Sequence, residues 1–185
     1  MMNTNLEIYD NSWYKPGSIL KQLLWYIVSI LFFKGSWNVM SSVKVFWLRF
    51  FGAQVGYGVV IKPNVKIKYP WKLIIGNHCW IGEYVWIDNL DQVILGNHVC
   101  LSQGAFVLCG NHNYKSVSFD LMLGPVTLKE GSWLGAKSMV GPGVTVGTHA
   151  VLSMGSVTSK DLNAYQVYRG NPAISVANRQ IICSE

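Results

Sequence analysis

The chain contains 185 residues, of which 50% are hydrophobic, 18 are glycine and 13% are charged. This profile excludes a disordered chain and favours a glycine-punctuated β core that carries an apolar accessory segment. The formal net charge is +6, but the basic residues are scattered, which disfavours nucleic acid as a partner and leaves an anionic membrane surface or a phosphorylated cofactor.

The first predicted region, residues 1–52, is a helical and apolar extension. Residues 19–33 are almost continuously apolar and contain neither glycine nor proline, which predicts a helix. A bilayer span needs roughly 20 apolar residues, and this run ends at Lys34. A second apolar segment with two basic residues follows at 43–51. Residues 18–51 are therefore expected either to pack on the β region or a partner subunit, or to lie in a membrane interface.

From residue 53 to residue 160 the sequence has a period of six, the pattern of a hexapeptide β-solenoid. An aliphatic residue opens each period, glycine often follows it, and a small or β-branched residue comes four positions later. The aliphatic positions are Val55, Ile61, Ile67, Ile75, Ile81, Ile87, Leu95, Leu101, Val107, Leu128, Leu134, Val140, Val146 and Leu152. The period predicts three strands and three corners per coil, with coils stacked as parallel strands. The first three coils carry two extra residues each, so Val55, Ile75 and Leu95 should be equivalent.

The pattern stops between residues 109 and 125, which predicts an inserted loop with a functional role. His78, His98 and His149 each follow an aliphatic position by three residues, where side chains should point to solvent. His112 alone lies off the pattern, in the loop. Since histidine can take a hydroxyl proton near neutral pH, His112 is the candidate general base; the alternative is an ordinary surface histidine.

The four cysteines, Cys79, Cys100, Cys109 and Cys183, form no CxxC pair. We expect small buried thiols and a reducing, cytoplasmic setting. The apolar run starts late and lacks the small-residue cleavage site of a signal peptide. An apolar, basic N-terminal region is consistent with a protein peripheral to the inner face of the cytoplasmic membrane.

Six motifs resemble those of one enzyme family. They are Tyr69-Pro70-Trp71-Lys72-Leu73, Gly110-Asn111-His112-Asn113-Tyr114, Gly131-Ser132-Trp133-Leu134-Gly135-Ala136, Val140-Gly141-Pro142-Gly143-Val144, Gly155-Ser156-Val157-Thr158-Ser159-Lys160-Asp161 and Gly170-Asn171-Pro172-Ala173. With them the chain resembles the LacA/maltose acetyltransferase branch of the hexapeptide-repeat acyltransferases, and within it the WcaF-type colanic acid acetyltransferases. The resemblance implies a left-handed parallel β-helix, a C-terminal tail at 161–185, and a homotrimer. It also implies acetyl-CoA in a groove between neighbouring subunits and a sugar pocket at the loop histidine.

The resemblance further implies roles for single positions, with His112 matching the catalytic base. The positions that match the acetyl-CoA groove are Trp133, Gly135, Ala136, Ser153, Thr158, Lys160 and, more loosely, Arg179. The first three match the wall along the pantetheine arm and the others the nucleotide end, where an arginine can hold a phosphate. The positions expected to bind the acceptor are Asp88, Asn89, Asn111 and Tyr114. No metal site is expected.

The expected reaction is direct transfer in a ternary complex, in which His112 deprotonates a sugar hydroxyl that attacks the thioester. Backbone N–H groups near Gly135 or in the loop are expected to stabilise the oxyanion. Asp120 is a candidate to orient His112. The maltose-type loop has an arginine where this chain has Phe119 and Asp120, so the acceptor stays open; the WcaF resemblance indicates an exopolysaccharide or lipid-linked glycan precursor.

Three alternatives remain open at the level of sequence. N-acetylation of an amino sugar would use the same scaffold. A non-catalytic solenoid for binding or assembly would share the repeats, although it would not need the loop and tail motifs. A metal enzyme on the same fold needs three convergent histidines; His78 and His98 are predicted to stack on one edge, but the loop offers no histidine besides His112.

Overall fold

The computed structural model describes residues 3–35 and 39–182 and shows two helices followed by a stack of short strands. The helices are α1 (Ile19–Phe32) and α2 (Ser41–Phe50), with 3-10 turns at Leu6–Ile8 and Pro70–Lys72. In chain order the strands are β1 (Gln54–Val55), β2 (Val60–Ile61), β3 (Lys66–Ile67), β4 (Leu73–Ile75), β5 (Trp80–Ile81), β6 (Trp86–Asp88), β7 (Val93–Leu95), β8 (Cys100–Leu101), β9 (Phe106–Leu108), β10 (Gly110–His112), β11 (Leu121–Leu123), β12 (Val126–Leu128), β13 (Trp133–Leu134), β14 (Met139–Val140), β15 (Thr145–Val146), β16 (Val151–Leu152), β17 (Val157–Thr158), β18 (Gln166–Gly170) and β19 (Ala173–Asn178). The predicted class, mainly β with an N-terminal helical segment, is confirmed.

Three sheets of parallel strands form the faces of a solenoid. Face 1 contains β1, β4, β7, β12 and β15 in that order; face 2 contains β2, β5, β8, β13 and β16; face 3 contains β3, β6, β9, β14 and β17. Val55 pairs with Ile75, and Ile75 with Leu95. The predicted twenty-residue equivalence in the first coils is therefore confirmed.

The aliphatic positions of the repeat form the interior. On face 2, Ile61, Ile81 and Leu101 stack in register and each is 2% exposed or less. Burial of one such side chain contributes about 1.5–3 kcal/mol to folding. Because each coil adds one such residue to every face, the six-residue period directly encodes a continuous hydrophobic column.

Corners between the faces require a left-handed backbone, and three histidines adopt it. The φ angle is +55° at His78, +56° at His98 and +54° at His149. The first two are exposed and their rings stack 5.2 Å apart, as predicted. His149 is half-buried beside Tyr165. At the corner above it, Gly131 has φ +65°, and a Cβ there would overlap the His149 ring.

Helix α1 packs on the solenoid through one side only. Trp25 is 3% exposed, and its indole N–H donates to the Ile67 carbonyl at 2.9 Å. The opposite side, here the outer face of α1, is apolar and exposed; its residues are Ile19, Leu20, Leu23, Leu24, Tyr26, Ile27, Ile30 and Leu31. Within residues 3–35 and 39–182, no helix has the length and apolar character needed to cross a membrane.

Helix α2 covers the N-terminal end of the solenoid. Lys44 is fully buried there and donates from Nζ to the carbonyls of Ile61 at 3.1 Å and Lys62 at 2.9 Å. Burial lowers the pKa of Lys44. A buried amine with two carbonyl partners satisfies backbone groups that the first coil would otherwise leave unpaired.

Beyond the last coil, β18 joins face 2 next to β16 and returns as the antiparallel strand β19. Cys79 and Cys109 are buried and Cys100 is half-buried, all as free thiols. Burial raises the pKa of Cys109 to about 11. Cys79 and Cys109 therefore act as small buried side chains, as predicted, whereas Cys100 is only partly buried. Cys183 lies outside the described residues.

Candidate active site

The chain leaves the solenoid between β9 and β12 as a hairpin. Strands β10 and β11 pair antiparallel, with His112 opposite Leu121. At its base, the Gly124 N–H donates to the Cys109 carbonyl at 2.9 Å. Strand β12 then pairs with β7 as the next coil of face 1. The hairpin thus carries His112 out of the stack without interrupting it.

The His112 ring is oriented by its own hairpin. Nδ1 lies 2.9 Å from the carbonyl oxygen of Phe119. Because a carbonyl can only accept a hydrogen bond, Nδ1 must carry the proton in the neutral imidazole, and Nε2 keeps the lone pair. The ring also stacks on the Phe119 ring, with centroids 4.5 Å apart and planes 7° apart. Phe119 reaches this position through a left-handed backbone, with φ +52°.

Asp120 makes no hydrogen bond to the His112 ring, so it does not orient the histidine directly as expected. Its carboxylate accepts hydrogen bonds from the hydroxyls of Ser118 at 2.6 Å and Ser116 at 2.8 Å. These bonds lower the pKa of Asp120. The carboxylate therefore shapes the turn of the hairpin, and the backbone of the preceding residue holds the histidine.

A cavity of about 460 Å³, here the His112 cavity, opens beside the ring. It is lined by Tyr9, Asn11, Tyr14, Pro16, Lys68, Tyr69, Leu90, His112 and Leu121. The first four belong to residues 3–17, here the N-terminal strap. The strap is tied to the hairpin by the Asn5 N–H, which donates to the Val117 carbonyl at 2.8 Å. It is tied to the solenoid by the Tyr14 hydroxyl, which donates to the Leu90 carbonyl at 2.7 Å.

Sequence reasoning missed the strap residues because the strap has no periodicity that would place it. Burial raises the pKa of Tyr14, so its hydroxyl stays protonated and its hydrogen bond persists. The Tyr9 ring centroid lies 5.6 Å from that of His112. The sequence feature that could have identified the strap is the occurrence of aromatic residues, such as Tyr9 and Tyr14, in a polar segment.

Asp88, predicted to bind the acceptor, lies at the end of β6 and is 9% exposed. Lys68 Nζ approaches Asp88 Oδ1 to 3.0 Å in an ion pair, but that oxygen receives no hydrogen bond of good geometry from the described residues. Asp88 lines a separate cavity beside α1. Lys68 lines both this cavity and the His112 cavity. The structure therefore places Asp88 near the candidate site but outside its wall.

Asn89 has a structural role in place of the predicted acceptor contact. It is fully buried, and its Oδ1 accepts from the N–H groups of Lys68 at 3.2 Å and Tyr69 at 3.0 Å. Its Nδ2 donates to the Tyr69 carbonyl at 2.6 Å. The amide is thus used to position two residues that line the His112 cavity.

Asn111 and Tyr114, the other acceptor candidates, lie on the hairpin but outside the lining of the His112 cavity. Asn111 is exposed, and its Oδ1 accepts from the His112 N–H at 2.8 Å. Tyr114 is 76% exposed, with the Lys115 ammonium 5.9 Å from its ring centroid. Within one chain, neither residue reaches the cavity that contains the histidine.

A larger groove of about 710 Å³, here the face-2 groove, runs along the corner between faces 2 and 3. Five of the predicted cofactor residues line it: Trp133, Gly135, Ala136, Ser153 and Arg179. The Trp133 indole N–H donates to the Ser102 hydroxyl at 2.9 Å. Arg179 donates from Nη1 to the carbonyls of Gly131 at 2.9 Å and His149 at 3.2 Å.

The remaining residues of the groove were missed by sequence reasoning. They are Ser102, Gln103, Val151, Met154, Val167 and Arg169. The repeat contained a usable signal, because Leu101, Leu134 and Leu152 pair in register on face 2. The residues that follow them must therefore stack along one corner.

Gly135 is required for coil stacking. Its own N–H donates to the Leu152 carbonyl at 2.8 Å and therefore joins two coils. The expectation of oxyanion donors elsewhere near Gly135 or in the loop stays a prediction. A Cβ at Gly135 would lie 2.5 Å from the backbone nitrogen of Met154 in the next coil. The glycine lets the two coils approach, and only Ala136 presents a side chain to the groove at this turn.

Thr158 and Lys160 lie apart from the groove. Thr158 is 3% exposed on face 3. Its Oγ1 donates to the Lys160 carbonyl at 2.7 Å and accepts from the Lys160 N–H at 3.1 Å. The hydroxyl closes its own turn, so within one chain neither predicted residue lines the face-2 groove.

The His112 cavity and the face-2 groove lie on different edges of face 3. The groove residues precede face 3 in each coil, whereas the hairpin follows it. The two cavities share no lining residue. Over the described stretches 3–35 and 39–182, no cluster of three or more His, Cys, Asp or Glu side chains is placed to hold a metal ion.

Comparison with known proteins identifies relatives along nearly the whole chain. A family model described as the hexapeptide repeat of succinyl-transferase matches residues 125–159. The chain is 37% identical over 166 residues to the Escherichia coli (strain K12) protein named "Putative colanic acid biosynthesis acetyltransferase WcaF", covering 90% of this chain and 91% of that protein. It is 26% identical over 128 residues to the galactoside O-acetyltransferase of the same strain, covering 65% of this chain and 61% of that protein.

Solved structures show the same fold. A maltose O-acetyltransferase from Clostridium difficile 630 matches with a TM-score of 0.75 at 19% identity, covering 88% of each chain. A hexapeptide-repeat acetyltransferase from Vibrio cholerae O1 biovar eltor, complexed with acetyl coenzyme A, matches with a TM-score of 0.72 at 17% identity, covering 79% of this chain and 81% of that one. With the solenoid, its hairpin and the extent of the WcaF likeness established, the chain belongs to the hexapeptide-repeat acyltransferases, as an acetyltransferase of their WcaF-type branch.

Proposed function

We propose that this protein transfers the acetyl group of acetyl-CoA to a hydroxyl group of a sugar, with His112 as the general base. The observation that carries the proposal is the hydrogen bond between His112 Nδ1 and the Phe119 carbonyl. It fixes the tautomer in which Nε2 is free to accept a proton, at the mouth of a polar cavity of small-molecule size.

In the proposed reaction the acceptor hydroxyl gives its proton to His112 Nε2 as its oxygen attacks the thioester carbonyl. Collapse of the tetrahedral intermediate expels the CoA thiolate, which takes the proton from the His112 imidazolium and so regenerates the neutral base. The Phe119 carbonyl stabilises the imidazolium that forms, because it already accepts from Nδ1. No covalent acyl-enzyme is needed, and the thiol of Cys109 is buried with a raised pKa.

The face-2 groove is the proposed acetyl-CoA site. Its apolar lining by Trp133, Val151 and Met154 suits a pantetheine arm, and Arg169 offers a cation for phosphate. The Vibrio cholerae relative is complexed with acetyl coenzyme A, and the family match at residues 125–159 includes six of the eleven residues that line the groove. The chemistry of the lining therefore fits the co-substrate.

We further propose that the protein acts as a homotrimer in which the His112 cavity of one subunit faces the groove of its neighbour. The support is that one chain holds the two half-sites on separate edges of face 3. A reaction between bound acetyl-CoA and an acceptor at His112 requires them to meet, and cyclic assembly brings the same two edges together at every interface.

The acceptor is proposed to be a precursor of an exopolysaccharide or a lipid-linked glycan, met at the inner face of the cytoplasmic membrane. The support comes from the outer face of α1, which exposes eight apolar side chains and no charged one. Lys34 follows the helix, and α2 also exposes two apolar rings, Phe46 and Phe50. An apolar helix face with basic neighbours fits an anionic bilayer surface.

The test of the base is the variant His112→Ala, assayed for acetyl transfer to a panel of sugars and for acetyl-CoA binding. We expect transfer to fall by about 10²–10⁴-fold, while acetyl-CoA binding in the groove is unchanged. His98→Ala, which removes a stacked surface histidine, is the control and should retain activity. Near-full activity of His112→Ala would overturn the assignment.

A further inference from the structure

Two aromatic rings lie against the imidazole of His112. Phe119 is stacked on it, as described above, and belongs to the same hairpin. The second ring is that of Tyr9, which the N-terminal strap contributes; its centroid lies 5.6 Å from that of His112, and the two planes are tilted by 56°. Tyr9 and His112 both line the His112 cavity, and both are half-buried. The surroundings of the proposed base are therefore shared between its own hairpin and a segment distant in sequence.

The strap is tied to the rest of the protein on both sides of Tyr9. Before Tyr9, its backbone is bonded to the turn of the hairpin. After Tyr9, the Lys72 ammonium donates to the Tyr14 hydroxyl at 3.3 Å, and the Trp71 indole N–H donates to the Pro16 carbonyl at 2.7 Å. Because the segment is tied at both ends, the contact between Tyr9 and His112 is part of the fold.

A short turn directs the Tyr9 side chain into the cavity. The Asn5 side chain accepts from the Glu7 N–H at 3.0 Å and caps the 3-10 turn Leu6–Ile8. The Tyr9 N–H closes the turn by donating to the Leu6 carbonyl at 3.2 Å. All three residues of the turn are exposed, whereas Tyr9 is half-buried. The turn therefore presents its own side chains to solvent and the tyrosine to His112.

The ring of Tyr9 occupies space beside the base that water would otherwise fill. A base that deprotonates a sugar hydroxyl can also deprotonate water, and the thioester of acetyl-CoA is open to attack by either oxygen. His112 cannot discriminate by itself, because both acceptors present the same O–H group. Enzymes limit such hydrolysis by expelling water from the site. Discrimination at His112 therefore has to come from the groups that cover the imidazole.

We infer that Tyr9 is a specificity-determining residue, which excludes water from His112 and so favours a sugar hydroxyl as the acceptor. The inference rests on the proposed role of His112 as general base and gives the strap a part in acceptor choice. In the reaction that Tyr9 suppresses, water gives a proton to His112 Nε2 while its oxygen attacks the thioester carbonyl. The carbon–sulfur bond then breaks to give acetic acid and CoA thiolate. The thiolate takes the proton from the imidazolium, and acetic acid ionises in solution.

The test measures the release of CoA from acetyl-CoA by the full-length protein without a sugar, in a buffer that carries no alcohol group. We expect Tyr9→Ala to release CoA about tenfold faster than wild type, which corresponds to about 1.4 kcal/mol in the barrier. Tyr9→Phe keeps the ring and should restore the slow release. Ile8→Ala is the matched control, because it truncates the neighbouring side chain, which is exposed and lies outside the cavity lining.

The faster release should disappear in Tyr9→Ala/His112→Ala, because water then has no base. General damage to the fold would slow CoA release, so a gain separates the shielding role from a merely structural one. Unchanged or slower release in Tyr9→Ala, an equal gain in Ile8→Ala or Tyr9→Phe, or a gain that persists without His112 would overturn the inference. The proposed function is tested separately, by transfer to sugars in His112→Ala, and would stand even if Tyr9→Ala hydrolysed acetyl-CoA no faster than wild type.

Discussion

Polar side chains around His112 mostly hold backbone in place. The amide of Asn89 fixes Lys68 and Tyr69, and Asp120 fixes the serines of the hairpin. Both were predicted to act directly at the site. Residue type and spacing indicate that a carboxylate or amide lies near His112. The direction of its side chain, however, depends on the geometry of the solenoid corners and of the hairpin turn, which no short motif specifies.

The hairpin network predicts the effect of Asp120→Asn. Because the hydrogen bonds from Ser118 and Ser116 lower the pKa of Asp120, the network is complete above the ordinary value of 3.8 and is lost only as pH falls through the lower folded value. Asparagine at this position accepts through one oxygen only, so the Phe119 carbonyl should shift from His112. We expect kcat at neutral pH to fall about tenfold, with the KM for acetyl-CoA unchanged.

Asp161→Asn is the control, since its Oδ1 accepts from the Thr145 N–H at 2.7 Å and makes no contact with the serine network of the hairpin. It should leave kcat unchanged. An unaltered kcat in Asp120→Asn would show that the serine network does not position His112.

The coils are the element that the sequence predicts best. A period of six, with inward residues such as Ile81 and Leu101, follows from sterics alone, because each coil must fill the same triangular interior. The strap is the opposite case. Its place depends on long-range contacts such as Tyr14 to Leu90, which leave no local pattern. The four strap residues among the nine that line the His112 cavity could therefore not be predicted from motifs.

Coil stacking predicts that substitution by alanine destabilises the protein differently at two glycines that occupy the same position of the six-residue repeat. At Gly135 an added Cβ would meet the Met154 nitrogen at 2.5 Å, whereas at Gly141 the nearest atom, the Thr158 oxygen, is 3.4 Å away. We expect Gly135→Ala to lose about 1–3 kcal/mol of stability through overpacking and to weaken acetyl-CoA binding. Gly141→Ala should melt within a few degrees of wild type. Thermal unfolding followed by circular dichroism compares them; equal melting temperatures would contradict the stacking argument.

At the scale of the whole molecule, the separation of the two half-sites predicts complementation between inactive subunits. His112→Ala removes the base, and Ala136→Phe fills the groove. Each alone should be inactive. After denaturation, mixing in equal amounts and refolding, random cyclic trimers should recover about a quarter of wild-type activity, because one interface in four pairs an intact base with an intact groove.

Each variant refolded by itself is the control and should stay inactive. If verified mixed trimers showed no activity, the base and the groove would have to act within one subunit, and the proposed arrangement would be wrong.

The outer face of α1 predicts membrane association of the assembled protein. Leu23→Glu/Ile27→Glu places two charges on this face, away from the buried Trp25. We expect co-sedimentation with phosphatidylglycerol vesicles to weaken by about tenfold or more. Ile174→Glu/Val176→Glu, on the equally exposed β19, should sediment like wild type. Unchanged partitioning of the α1 variant would refute the proposal, and a change in oligomer size instead would assign the face to a subunit contact.

The base of the His112 hairpin has a further consequence. The hydrogen bond from the Gly124 N–H to the Cys109 carbonyl joins the two ends of the hairpin. Directly after it, β12 pairs with β7 and the regular stack of coils continues. We therefore expect the scaffold to tolerate replacement of the residues between Cys109 and Gly124 with little loss of stability. The choice of acceptor would then depend on a part of the chain that can be exchanged separately. Replacing the hairpin together with the N-terminal strap should transfer the sugar preference between related enzymes and leave the acetyl-CoA groove unchanged.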